Sequence, residues 1–327
     1  MSPAAIIFGC AGPRLSADEA AFFANANPFG FIVFARNVET PDQLRALTSE
    51  LRAAVGRNAP VLVDQEGGRV QRLTAPHWRE WLPPLDHMRA AGADAERVMW
   101  LRARLQAEEL RSVGIDVNCA PTADLARPET HPFLRNRCLG ETVETVIMGA
   151  RATADGLLAG GVLPVLKHIP GHGRARADSH KNLPHVAASR VELTDDFEPF
   201  RALADLPMAM TAHVAYHALS DAPATVDPTM IRLIREEIGF KGLLMTDDIF
   251  MEALGGTVPE RSRVALSAGC DLVLHCHGDM REMEATMCEI TPLPTEVVER
   301  AEAALALRDR VEPVEIGALE DELARYG

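Results

Sequence analysis

The sequence of 327 residues lacks any long basic run, and this absence bears on its partners. Its 33 lysines and arginines are outnumbered by 47 aspartates and glutamates, which gives a formal net charge of −14. Such a chain would repel a polyphosphate backbone, because nucleic-acid binding depends on basic side chains that neutralise phosphates. We therefore expect no nucleic-acid partner.

Long apolar runs and paired cysteines are missing as well. No segment approaches the roughly 18 apolar residues that a membrane-spanning helix requires, so we expect no membrane association. The first residues, MSPAAIIFGCAGPRL, have no positive charge ahead of a short apolar stretch, unlike a secretory signal. The six cysteines form no CxxC pair and are expected to be reduced thiols. These features predict a cytoplasmic protein.

Linkers and low-complexity tracts are also absent, which predicts one domain over residues 1–327. Within it, short apolar segments alternate with segments whose apolar residues recur at helical spacing. The apolar segments are AIIFG at 5, GFIVF at 30, PVLVDQ at 60, IDVNCAPTAD at 115, VLPVLKH at 162, MAMTAHV at 208, GLLMTDD at 242 and CDLVLHCH at 270. The helical segments are 41–55, 95–114, 141–161, 227–239 and 261–269.

Eight strand and helix units predict an α/β fold with a closed parallel sheet, a single (β/α)8 barrel of the TIM type. The last amphipathic segment, TEVVERAEAALALRDRV, is expected to pack as a helix against the barrel. Polar residues stand where most of the apolar runs stop: Asp64, Asp124, Lys167, His168, His213, Asp247, His275 and His277. Because the carboxyl ends of barrel strands share one face, we expect the active site there.

The stretch KHIPGHGRARADSHKNLPH, at 167–185, is predicted to be an irregular loop because prolines and glycines interrupt it. Its four histidines are open to three interpretations: a metal site, a solvated surface loop or a catalytic loop. His168 and His172 have the spacing of a helical ligand pair, but the proline and glycine between them break that helix. Asp178 and His180 form a possible dyad, because a carboxylate bonded to one imidazole nitrogen leaves the other to exchange protons.

A candidate nucleophile lies in GFKGLLMTDDIF, where a predicted strand ends in Asp247 and Asp248. Since side chains alternate along a strand, we expect one carboxylate to reach the site and the other to cap a helix N-terminus. Other carboxylates and guanidinium groups follow in VDQEGGRVQRL and FLRNRCLGE. Together they suit a ligand rich in hydroxyls and carbonyls, such as a sugar. GxSxG, GxxxxGK[ST] and GxGxxG motifs are missing from the expected places.

Several of these stretches, taken in order, resemble the glycoside hydrolases of family 3, most closely their single-domain bacterial β-N-acetylglucosaminidases. The matching segments are GFIVFARNVETPDQLRALTSELR, VDQEGGRVQRL, the region around NRCLGE, KHIPGHGRARADSHKNLPHV, MTAHVAYHALSDAPAT and GFKGLLMTDDIFMEAL. The resemblance implies a hydrolase that removes terminal β-linked N-acetylglucosamine, with no metal or organic cofactor. It also implies a muropeptide substrate from peptidoglycan recycling, and we expect a monomer.

The resemblance implies roles for individual residues. Asp247 would be the nucleophile, and Asp178 with His180 would form the acid/base dyad. The implied substrate-binding residues are Asp64, Arg72, Arg137, Lys167, His168 and His213. In the implied retaining reaction, Asp247 attacks the anomeric carbon while His180 protonates the leaving oxygen, and water then hydrolyses the glycosyl-enzyme.

The chain departs from the family pattern at two places. Gly173-Arg174-Ala175 stands where Gly-Asp-Thr is usual, and Arg137-Cys138-Leu139 stands where Arg-Ser-Phe is usual. These departures bear on loop conformation and leaving-group preference. Glycines on both sides of His172 also suggest a loop that hinges there.

Three other functions stay open. A histidine would not repel an anion as a second carboxylate would, so a phosphorylase on the same scaffold is an alternative. The others are a metal-dependent barrel hydrolase that uses the histidine loop and a sugar-binding protein without catalysis.

Overall fold

A closed barrel of eight parallel strands forms the centre of the molecule. The computed structural model describes residues 2–176 and 182–326. The strands in these residues are β1 (Ala4–Gly9), β2 (Pro28–Val33), β3 (Val61–Val63), β4 (Gln65–Gly67), β5 (Val70–Gln71), β6 (Val117–Asn118), β7 (Leu163–Ile169), β8 (His185–Val186), β9 (Met208–Thr211), β10 (Ala215–Tyr216), β11 (Leu243–Asp248) and β12 (Leu272–His275). Around the barrel they follow the order β1, β12, β11, β9, β7, β6, β3, β2.

Helices connect successive barrel strands, and further helices follow the last strand. They are α1 (Ala17–Ala26), α2 (Pro41–Val55), α3 (Pro84–Ala91), α4 (Ala95–Ser112), α5 (Pro132–Arg135), α6 (Val143–Ala159), α7 (Leu193–Ala202), α8 (Pro228–Arg232), α9 (Val258–Ala268), α10 (Met280–Met287), α11 (Thr295–Leu305) and α12 (Ile316–Leu323). A π-helical turn, Leu233–Ile238, continues α8. In the part of the chain described, none of the helices is long and apolar enough to cross a membrane.

The predicted (β/α)8 barrel is confirmed, and each of the eight predicted apolar segments overlaps one barrel strand. The five predicted helical segments correspond to α2, α4, α6, α8 and α9. Local sequence signals explain the bounds of α2. The Thr40 side chain accepts a hydrogen bond from the Gln43 amide, Pro41 is the first helical residue, and Gly56 ends the helix with a φ of 63°.

Alternate residues of the strands pack on two sides of the barrel wall. Ile7 belongs to the apolar cluster inside the barrel, whereas Ile6 and Phe8 belong to the cluster between the strands and the helices. A sheet buried on both faces needs near-continuous apolar runs, which is why these strands were readable from the sequence.

The C-terminal helices pack on the outside and on the amino end of the barrel. Val297 and Ala301 of α11 join the cluster inside the barrel. Leu319 of α12 packs with Trp81 and with Leu101 of α4. Since α11 covers the amino end, the carboxyl ends of the strands are left to form the site.

Two short ribbons extend this carboxyl end, and neither was predicted. Strands β4 and β5 pair antiparallel in a hairpin that follows β3, and β8 pairs with β10 in parallel. The hairpin carries charged residues over the barrel mouth.

Candidate active site

A cavity of about 270 Å³ lies at the carboxyl end of the barrel. Its wall includes charged residues from the ends of several strands and from the loops that follow: Asp64, Arg72, Arg137, Lys167, His168, Asp247 and Asp248. The predicted convergence of strand ends on one face therefore exists. Seven of the nine predicted site residues lie in the described part of the chain, and six of those seven line this cavity.

Asp64 and Lys167 form the charged floor of this cavity. Nζ of Lys167 lies 3.0 Å from Oδ1 of Asp64, and Nη2 of Arg72 lies 3.0 Å from Oδ2. Burial alone would raise the pKa of Asp64, but the charges of Lys167 and Arg72 outweigh it and hold the pKa below its usual range. Asp64 is therefore a carboxylate anion at neutral pH.

Glu66 is a charged residue that the sequence analysis missed. Its Oε1 lies 2.6 Å from Nζ of Lys167, and Arg137 binds both carboxylate oxygens at 2.8 and 2.9 Å. Burial acts to raise the pKa of Glu66, yet these cations lower it to about 2. Glu66 follows Asp64 by two residues, but Asp64 lies between β3 and β4, so alternation along one strand gave no signal for Glu66 in the sequence.

His168 lies beside Lys167 at the end of β7, and both side chains face the cavity. The peptide bond between them is cis. The pairing of β7 with β9 is irregular here, between Lys167 and Ile169. Nδ1 of His168 lies 2.7 Å from Oδ2 of Asp124, and its Nε2 lies 4.0 Å from Oδ2 of Asp247.

The two consecutive aspartates of β11 differ in their surroundings. Burial would raise the pKa of Asp247, but His168, His213 and the Asp248 amide lower it. Burial raises the pKa of Asp248, and the charge of Asp247 adds to that rise. Asp247 is therefore a carboxylate anion at neutral pH, and it lines the cavity.

The expectation for Asp248 was wrong in two respects. Both aspartates contribute to the cavity wall, because the register between β11 and β12 shifts between Met245 and Asp248 and breaks the alternation of side chains. Asp248 also caps no helix. Its Oδ1 accepts hydrogen bonds from the amides of Phe250 (3.2 Å) and Cys276 (3.4 Å), while α9 is capped by Thr257.

His213 is fully buried and lies outside the cavity wall. Its Nδ1 lies 2.7 Å from Oγ1 of Thr225, and its Nε2 lies 3.0 Å from the carbonyl oxygen of Asp248. With both ring nitrogens engaged, His213 supports the end of β11 from behind. Its direct contact with a sugar stays a prediction.

Asp178 and His180 lie outside the described residues, but the chain that leads to them is described as far as Arg176. The hydroxyl of Tyr216 donates to the Gly171 carbonyl at 2.7 Å, and Thr130 donates to the Gly173 carbonyl at 2.5 Å. A Cβ at Gly173 would overlap the carbonyl oxygen of Leu125. The hinge proposed at these glycines is therefore not supported, because both are buried and tightly packed.

Residues 7–310 match the sequence profile described as the N-terminal domain of glycosyl hydrolase family 3. The chain belongs to glycosyl hydrolase family 3. This confirms the resemblance seen in the sequence, and the protein is a glycoside hydrolase.

Named relatives of this family 3 chain agree with the assignment. It is 38% identical over 284 residues to a β-hexosaminidase of Alkalilimnicola ehrlichii, covering 83% of this chain and 80% of that one. It is 37% identical over 305 residues to a β-hexosaminidase of Vibrio cholerae, covering 90% and 88%. It superimposes with a TM-score of 0.87 and 29% identity on NagZ from Neisseria gonorrhoeae in complex with N-trifluoroacetyl-D-glucosamine, covering 100% and 98%.

The two departures from the usual family 3 pattern have structural partners. The guanidinium of Arg174 lies 2.5 Å from Oδ2 of Asp196, so it is held on α7. Cys138 is buried, and its thiol donates to the Leu134 carbonyl at 3.5 Å. Burial raises the pKa of Cys138 well above its usual value, so it stays a neutral thiol.

The histidine loop contributes two rings to the described part of the site. The ring centroids of His168 and His172 are 5.7 Å apart. Among residues 2–176 and 182–326, no three His, Cys, Asp or Glu side chains meet in an arrangement that would hold a metal ion.

Proposed function

We propose that this family 3 hydrolase removes terminal β-linked N-acetylglucosamine with retention of configuration. The observation that carries the proposal is the carboxylate of Asp247, which lines a small cavity among paired charges. A volume of about 270 Å³ is at the low end for ligand cavities, which suits one sugar ring. The β-hexosaminidase relatives and the NagZ complex support an N-acetylglucosamine ring as that sugar.

Asp247 has the properties that a glycosidase nucleophile needs. Its lowered pKa keeps it ionised at neutral pH, so it can attack the anomeric carbon without prior loss of a proton. The second carboxylate of the pair, Asp248, is held by two backbone amides and would not compete for the same carbon. The negative charge of Asp247 would also stabilise the oxocarbenium-like transition state.

The charged pairs around Asp64 would orient the sugar. Lys167 and Arg72 are held by Asp64, and Arg137 is held by Glu66, so their donors are fixed before substrate arrives. Fixed charged donors suit hydroxyl and carbonyl oxygens, and they lose little conformational entropy on binding.

The proton donor in this proposal is His180, supported by Asp178. Support for this part comes from the DSH triplet and the family resemblance. The described loop root delivers the chain to the cavity, because His168 and His172 both line it. We also propose, on the same resemblance, that the natural substrate is a cytoplasmic muropeptide of peptidoglycan recycling.

The first test is hydrolysis of a chromogenic β-N-acetylglucosaminide by wild type, Asp247→Asn and Asp248→Asn. Removal of the nucleophile should lower kcat by about 10³-fold or more, as expected for loss of covalent catalysis. Asp248→Asn is the matched neighbour and should lose far less. The first product, followed by NMR, should be the β-anomer; an α-anomer would overturn the retaining mechanism.

The second test concerns the acid/base group and the alternative reaction. His180→Ala should keep a large fraction of wild-type activity on substrates with very good leaving groups and only a small fraction on alkyl glycosides. Only an alkyl leaving group needs protonation as the glycosidic bond breaks. Turnover should not depend on phosphate. A wild-type enzyme that is inert until phosphate is added would favour the phosphorylase instead.

A further inference from the structure

Asp124, which follows β6, lies behind the cavity and has both carboxylate oxygens engaged. It is fully buried. Oδ1 accepts hydrogen bonds from the amides of His172 (2.6 Å) and His168 (3.4 Å). Oδ2 lies 2.7 Å from Nδ1 of His168. One side chain thus joins the end of β7 to the start of the histidine loop.

These bonds determine which nitrogen of His168 carries a proton. Burial acts to raise the pKa of Asp124, but the hydrogen bonds from the His168 ring and the His172 amide lower it, so the carboxyl is ionised. A carboxylate only accepts hydrogen bonds, so the Nδ1 atom that faces it must carry a hydrogen. The other nitrogen, Nε2, is then directed at the reacting region, 3.4 Å from Nη2 of Arg137 and 4.0 Å from Oδ2 of Asp247.

We propose that Asp124 is a positioning residue: it fixes the tautomer and ring plane of His168, so that Nε2 meets the bound sugar in one defined hydrogen-bonding state. The effect of Asp124 on sugar binding rests on the proposed function, whereas its effect on the tautomer of His168 does not. Asp124 touches no substrate in this arrangement and acts through His168. Carboxylates fix the tautomer of a working histidine in the same way in Ser-His-Asp triads.

Asp124→Asn is an isosteric substitution that should reverse the tautomer of His168. In Asp124→Asn the amide oxygen should stay on the two backbone amides, because they require an acceptor. The amide nitrogen then faces Nδ1 of His168, and two donors cannot share that contact. His168 must therefore place its hydrogen on Nε2. In the serine-protease triad the corresponding exchange lowers kcat by about 10⁴; here, where His168 binds without transferring the proton, we expect a loss of about 10²-fold.

The test is the protonation state of His168 in protein labelled with ¹⁵N-histidine, read from two-bond ¹H–¹⁵N correlations and assigned with His168→Gln. Wild type should carry a hydrogen on Nδ1, and Asp124→Asn should carry one on Nε2 with a bare Nδ1. A bare Nδ1 in wild type would overturn the proposal, and so would an unchanged Nδ1–H in the variant. The wild-type measurement decides the question even if the variant fails to fold.

Measurements of kcat/KM and of N-acetylglucosamine binding distinguish a positioning role of Asp124 from a purely structural one. The matched control is Asp116→Asn, a buried carboxylate directly before β6 that binds Arg52 and Arg308 at the opposite end of the barrel. It should lower stability while leaving the His168 signals and kcat/KM unchanged. Added N-acetylglucosamine should shift Nε2 in wild type and not in Asp124→Asn. If wild type proves inactive on every glycoside, the proposed function fails. The NMR measurement of the His168 tautomer still tests the positioning role of Asp124 independently.

Discussion

Nζ of Lys167 lies 2.6 Å from Oε1 of Glu66 in a region where both side chains are buried. The same ammonium group binds Asp64, and the same carboxylate binds Arg137. Charges removed from water are stable only when their partners are present, so this network needs all of its members. The proposed substrate-binding groups are thus held together before any sugar is bound.

Glu66→Gln should therefore destabilise the fold strongly. It leaves Lys167 and Arg137 buried with one anion fewer, and breaking a buried pair costs about 3–5 kcal/mol. Urea unfolding should show a free energy of unfolding lower by about that amount. Arg151→Ala, which breaks a surface pair with Asp205, is the control and should cost less than about 1 kcal/mol. Equal small losses for both variants would contradict the network.

Gly173→Ala tests whether the glycines of the histidine loop provide packing or motion. The added Cβ would overlap the Leu125 carbonyl, so the free energy of unfolding should fall by about 1–3 kcal/mol along with activity. Gly12→Ala is the control, because a Cβ there meets nothing within 4 Å. A Gly173→Ala protein with full stability and reduced activity would restore the hinge interpretation.

Buried neutral histidines should make the protein less stable in mild acid. Burial lowers the pKa of both His172 and His275 from 6.5 to about 4. Between those values the unfolded chain binds protons that the folded chain does not, so stability falls as pH falls. Each group should contribute at most about 1.4 kcal/mol per pH unit. His275→Gln should flatten the plot of unfolding free energy against pH between 6 and 4.5; parallel plots would contradict this assignment.

The barrel was predictable because its evidence is local. Parallel strands buried on both faces must be apolar throughout, and the polar residue that ends each run reports the active face. Asp64, Lys167 and Asp247 were found in this way. Helix α2 was readable for a similar reason, since its cap, its proline and its final glycine lie within the segment itself.

The sequence analysis was wrong or incomplete where the answer depends on contacts between distant segments. Alternation would separate Asp247 from Asp248, but the register shift against β12 brings both to the cavity. Glu66 sits on a hairpin that only strand pairing creates. His213 ends an apolar run as a site residue would, yet Thr225 and the Asp248 carbonyl occupy its ring. No spacing in the sequence reports such contacts.

Closure of the barrel has a consequence for how the chain is made. Strand β1 obtains its second neighbour only from β12, through pairs such as Ile6 with Val273. During synthesis, at about 5–20 residues per second, one edge of β1 stays without a partner for tens of seconds. An unpaired strand edge is a template for aggregation. The nascent chain therefore passes through its most vulnerable stage just before the last strand emerges from the ribosome and the sheet becomes a ring.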